Sequence, residues 1–294
     1  MGHIDEVAAA PAAAVLPESV MPASSFPRSL ALPVSRRRLT QALALLSLPA
    51  LALSTARPAR AALPQGSHAA MVAFDGLYIP ALFLTGAAPK SEEGPARAGA
   101  AMQRLQQAWP QQRLALQALA PSARPWREAL AAVDRHLARA TAEVGERRWE
   151  ASHETLERVR ETLFEARRSL GIDYALDDFT AFHGAMEAIA NRSAVPPAQR
   201  EALERDYARA RALWRRIERL ELDPARWGLS PARQAQLRQG LADEDRALAR
   251  LSRALAAGAP EAELLQAGAA LKGPFVKAYT AFGWPAGETP ALAG

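Results

Sequence analysis

Apolar residues recur every three to four positions along most of this chain, and no stretch keeps a two-residue alternation for long. That pattern predicts helices throughout. The first, over residues 67–85, is apolar nearly all round, as a buried helix is. His68, Met71, Asp75 and Tyr78 form one stripe along it, and Pro80 predicts a kink. Residues 86–89, Gly-Ala-Ala-Pro, break the pattern. A second helix is expected over 92–118, with Met102, Leu105 and Trp109 on one face and Pro110 as an interruption. A third is expected over 126–147, with Leu130, Val133, Leu137 and Val144 inward. In a fourth, over 149–170, Trp149, Leu156, Leu163 and Leu170 keep heptad spacing, with His153 and Val159 at the intervening seam position. This is the seam of a helical bundle, and Gly171 suits the C′ position that ends it.

The chain then restarts. Phe179, Phe182, Met186 and Ile189 form an apolar stripe, preceded by Asp178, which reads as an N-cap. Phe74, Tyr78 and Trp109 return as Phe179, His183 and Trp214 at one constant offset. Leu130, Asp134 and Leu137 return as Leu241, Asp245 and Leu248 at a slightly larger one. The expectation is an all-α protein of two similar four-helix halves, residues 62–172 and 173–285, with a frayed tail over 286–294. The last helix, over 272–284, presents Phe275, Tyr279 and Phe282 for docking on the core.

Residues 1–61 form a presequence. Ser35-Arg36-Arg37-Arg38 precedes an apolar run, and Ala59-Arg60-Ala61 offers small residues where a signal peptidase cuts. These features resemble a twin-arginine export signal. The run contains Pro49 and falls short of the ~20 apolar residues that a spanning helix needs. The resemblance implies a periplasmic protein, or one of the thylakoid lumen in a photosynthetic eukaryote. Roughly 230 residues then remain, enough for one or two compact domains. Without the leader the net charge falls from +5 to about +2, so no basic face for nucleic acid is expected. The absence of cysteine excludes disulfides, thiolate zinc sites, iron–sulfur clusters and covalent c-type haem.

Chemistry concentrates on few residues. His183 lies one turn from Glu187, beside Met186, so imidazole, thioether and carboxylate share a helix face. His68–Met71 repeats the His183–Met186 spacing. Met71 and Met186 are therefore the cofactor-binding candidates, for copper or, from separate helices, for haem b. His183, Glu187, His153 and Asp75, with Asp178 as an alternative, are the candidates for a transition-metal site. Glu150-x-x-His153 is a single ferritin-like step where two would be needed. Asp75 sits mid-helix among apolar residues and requires a partner. The arginine pairs at 147–148, 167–168 and 215–216 read as solvated faces. The expected function is a non-enzymatic, exported bundle binding a metal or other small ligand. The alternative is a cofactor-free scaffold with a periplasmic protein partner. Peripheral membrane contact is compatible with either reading.

Overall fold

A computed structural model describes residue 64 and residues 66–192, 194–196 and 199–283. Among these residues the chain is all α-helical, without strands. The helices are α1 (Ser67–Ala87), α2 (Gly94–Gln117), α3 (Arg124–Gly145), α4 (Trp149–Ser169), α5 (Ala175–Ala190), α6 (Arg200–Ile217), α7 (Pro231–Ala256), α8 (Glu261–Ala269) and α9 (Lys272–Thr280). A short 3-10 turn, Ala88–Lys90, follows α1. The presequence, Trp284 and the tail lie outside the described residues.

Both internal prolines are absorbed. Each removes one N–H from the ladder, which frees the carbonyl of Gly76 in α1 and of Gln106 in α2. Both of these residues are exposed, where water can take up the orphan acceptor. Pro110 therefore does not interrupt α2, which runs through it. Helix ends follow local chemistry. Pro231 opens α7 behind the Ser230 cap, whose Oγ accepts from Arg233 N. Gly171, with φ 65°, closes α4. Ile172 N donates to Arg167 O at 2.9 Å, and Gly171 N to Arg168 O at 3.2 Å, the paired bonds of a Schellman motif.

Helices pack in antiparallel neighbours: α1 with α2, α3 with α4, α5 with α6, and α7 with α9. α1 also packs on α4, and α5 meets α4, α8 and α9. The helix α1 and its 3-10 extension have the length and hydropathy of a membrane span, and half of that stretch is buried in this fold. The core is aromatic. Phe182 packs on Trp214 and Phe275, with ring centroids 4.8 and 5.8 Å apart, and Phe179 packs on Phe282 at 5.5 Å. The expected stripe of Phe179, Phe182, Met186 and Ile189 is buried throughout, as is the docking face of Phe275, Tyr279 and Phe282.

Three expectations on polar residues need correction. The helix containing Phe179 begins at Ala175, so Asp178 falls inside its first turn. There it pairs with Arg216 at 2.5 Å rather than capping. Arg167 is buried, not solvated. It forks onto Asp177 through Nε at 3.0 Å and Nη2 at 2.5 Å, and lies 4.9 Å from the centroid of the Tyr174 ring. Glu150 is exposed and has no part in the surroundings of His153 described next.

Candidate functional site

The end of α1 and the start of α2 diverge from α4, α5 and the α8–α9 corner, leaving a cavity of about 850 Å³. His153 and Glu157 of α4 form one polar wall, and His183 and Glu187 of α5 the other. Each pair is a His-x3-Glu step, which puts both side chains on one helical face. Phe83, Leu84, Met186, Phe275 and Val276 supply the apolar surface, and Lys90 and Lys272 are exposed at the edge.

The two imidazoles are held in opposite tautomers. His153 Nδ1 lies 2.8 Å from Leu82 O. A carbonyl only accepts, so Nδ1 carries the proton and Nε2 keeps its lone pair. Gly86 permits this contact, because a Cβ there would lie 3.0 Å from His153 Nδ1. His183 Nδ1 lies 2.7 Å from Arg160 Nη2. A guanidinium only donates, so His183 Nδ1 holds the lone pair and the ring's proton sits on Nε2, 3.6 Å from Glu187 Oε1. Burial, then the neighbouring Arg160 charge, pushes His183 down to about 2, so the ring stays neutral at any physiological pH.

Arg160 organises the floor. It is only 4% exposed, forms a short ion pair with Glu157, and lies 5.6 Å from the centroid of the Tyr279 ring. Its Nε and Nη1 find no partner among the described residues. Burial pushes the Glu157 carboxyl up, and Arg160 opposes that rise. Glu157 Oε1 also stands 3.7 Å from His153 Nε2, too far for a hydrogen bond.

The structure thus brings His153, His183, Glu187 and Met186 to one cavity and leaves two other candidates elsewhere. Asp75 takes the Tyr174 hydroxyl in a short hydrogen bond. Burial raises its carboxyl to about 6, against that hydrogen bond and Arg167. It does not line the cavity, because α1 turns that face toward Tyr174. Met71 is packed in the core at 1% exposure, likewise away from the cavity, so the two methionines do not face a shared cofactor there. Among the described residues no three His, Asp or Glu side chains are arranged to hold a metal ion.

Sequence reasoning missed Glu157, Arg160, Lys90 and Lys272. Glu157 was findable, because His153–Glu157 repeats the His183–Glu187 spacing. The lysines had no signal, since each sits at a helix boundary that only the tertiary fold brings to the cavity. Comparison with known proteins gave no matching family model, no matching curated protein and no matching solved structure.

Proposed function

We propose that this chain is an exported, non-enzymatic helical bundle whose cavity holds a small organic ligand. The observation that carries this reading is the cavity itself. Its volume of about 850 Å³ lies in the range of roughly 300–1,000 Å³ typical of pockets for organic ligands. Its lining has the composition of such a pocket, with apolar walls and a few convergent polar groups. Those polar groups are already fixed by one another: Glu157 by Arg160, His183 by Arg160, and His153 by Leu82 O. A preorganised lining favours holding a ligand over cycling protons.

The test uses the purified protein and an apolar fluorescent dye, anilinonaphthalene sulfonate. Saturable binding with a blue-shifted emission is expected. Ala269→Trp, which fills an exposed edge of the cavity, should weaken that binding at least tenfold without changing the circular dichroism. Equal binding by both proteins, or none by either, would remove the cavity from consideration and favour the cofactor-free scaffold.

A transition metal is the second reading. One observation favours it: His153 Nε2 offers its lone pair within 3.7 Å of Glu157 Oε1, a separation that two neighbouring ligands of one ion can have. Two ligands are fewer than the three or four that a stable site uses, so the organic ligand ranks first. Export is proposed from the leader alone. Arg36, Arg37 and Arg38 changed together to Lys should leave the precursor unprocessed in the cytoplasm. Cleavage near Ala61 in that variant, seen by mass spectrometry of the periplasmic fraction, would rule out the twin-arginine route.

A further inference from the structure

The tautomers and charges of the cavity specify its ligand more closely; this step rests on the small-ligand reading above. His153 Nε2 and Glu157 Oε1 are both acceptors, 3.7 Å apart, with no hydrogen bond between them. Two acceptors facing one gap call for a donor between them. His183 Nε2–H already faces Glu187, and Arg160 sits behind Glu157, so neither fills that gap. A protonated amine would donate to His153 Nε2 and Glu157 together, and Glu187, 41% exposed, adds negative charge at the same wall. Lys272 and Lys90 lie on the cavity lining with no ion pair to any described residue. They are placed to receive a carboxylate. Between the two polar regions lie Phe83, Met186, Phe275 and Val276.

We propose that the cavity binds a zwitterion of dipeptide size, its ammonium at His153, Glu157 and Glu187 and its carboxylate at Lys90 and Lys272. Side chains of the ligand rest on the aromatic and aliphatic wall between. The arrangement accounts for both signs of charge at one cavity. A purely cationic ligand would leave the lysines repelling it, and a purely anionic one would face Glu187.

The experiment is displacement of the bound dye by three molecules of one body: leucyl-phenylalanine, its N-acetyl derivative and its C-terminal amide. The free dipeptide should compete at least tenfold better than either derivative, since each derivative lacks one charge. Glu187→Gln should shrink the gap between the free and N-acetyl forms. The double change Lys90→Met with Lys272→Met should shrink the gap between the free acid and the amide. All three positions have exposed or half-exposed side chains, and the folded state of each variant is checked by its circular dichroism. If the dye binds but the N-acetyl form or the amide competes as well as the free dipeptide, the zwitterion assignment is wrong and the cavity reading survives. If the dye is bound but none of the three displaces it, the ligand is not of this class. If the dye does not bind, the cavity reading itself fails.

Discussion

Glu244→Met should stabilise this protein by about 3–5 kcal/mol at pH 8, a large gain for one substitution. Glu244 is fully buried on α7, and neither carboxyl oxygen has a hydrogen-bond partner among the described residues. Burial pushes its pKa from an ordinary 4.5 to about 9, with the Phe275 backbone amide opposing the rise. The sign follows from the protons bound. Between these two values the folded state keeps a proton that the unfolded state has released, so stability falls as pH rises, by about 1.4 kcal/mol per pH unit. By pH 8 the accumulated cost is roughly 4–5 kcal/mol. Methionine has a similar volume and no charge to desolvate, so it removes that cost without opening a cavity.

The pH profile isolates the residue. Asp75, raised to about 6, also makes stability fall with pH, but only up to about its own pKa. His183, lowered to about 2, makes stability rise with pH until the unfolded imidazole loses its proton near 6.5. Both contributions are complete by about pH 7. Urea denaturation at pH 7 and pH 9 should therefore show the wild type losing about 2 kcal/mol, and Glu244→Gln losing far less. A wild-type profile as flat as that of Glu244→Gln would mean that the carboxyl has a partner or access to water.

Glu244 also shows where sequence reasoning stops. It sits between Asp243 and Asp245 on a helix rich in charge, and nothing in its spacing separates it from those neighbours. Its burial comes from α9, which crosses α7 so closely that a Cβ on Gly240 would meet Ala278 N at 2.6 Å. Arg167 was hidden in the same way, as half of an arginine pair whose partner Arg168 stays exposed. Helix boundaries were legible to within a few residues, because period, proline and glycine act locally. The grouping of His183, Met186 and Glu187 was legible for the same reason, all three lying within one turn or so. The need of Asp75 for a partner could be read from one carboxylate on an apolar helix. That the partner is Tyr174, far along the chain, could not. Local rules give the faces of helices, and only the packing says which face another helix covers.

Arg160→Met should cost about 3–5 kcal/mol of stability, the penalty for breaking a buried ion pair by removing one partner. Arg160 and Glu157 are 4% and 17% exposed at the side chain, so solvent screens their attraction little. Without the guanidinium, Glu157 must take a proton or draw in water, and His183 Nδ1 loses its donor. The double change Arg160→Met with Glu157→Met should recover much of the loss, because no charge is then left without its counterion. Urea denaturation of the two single variants and the double one gives the coupling between the positions. A loss below about 1 kcal/mol in Arg160→Met, or a double variant as unstable as the sum of the singles, would show that the pair contributes no more than a surface contact. A second readout follows the cavity. In the wild type, nitrogen chemical shifts should show His183 protonated on Nε2 at pH 7. Arg160→Met removes both the donor that fixes this tautomer and a positive charge that holds the ring's pKa down. The His183 pKa should then rise from about 2 toward the ordinary imidazole range, and the ring should populate both tautomers. An unchanged His183 signal in that variant would mean that the shape of the surrounding helices, and not Arg160, fixes the proton at the cavity wall.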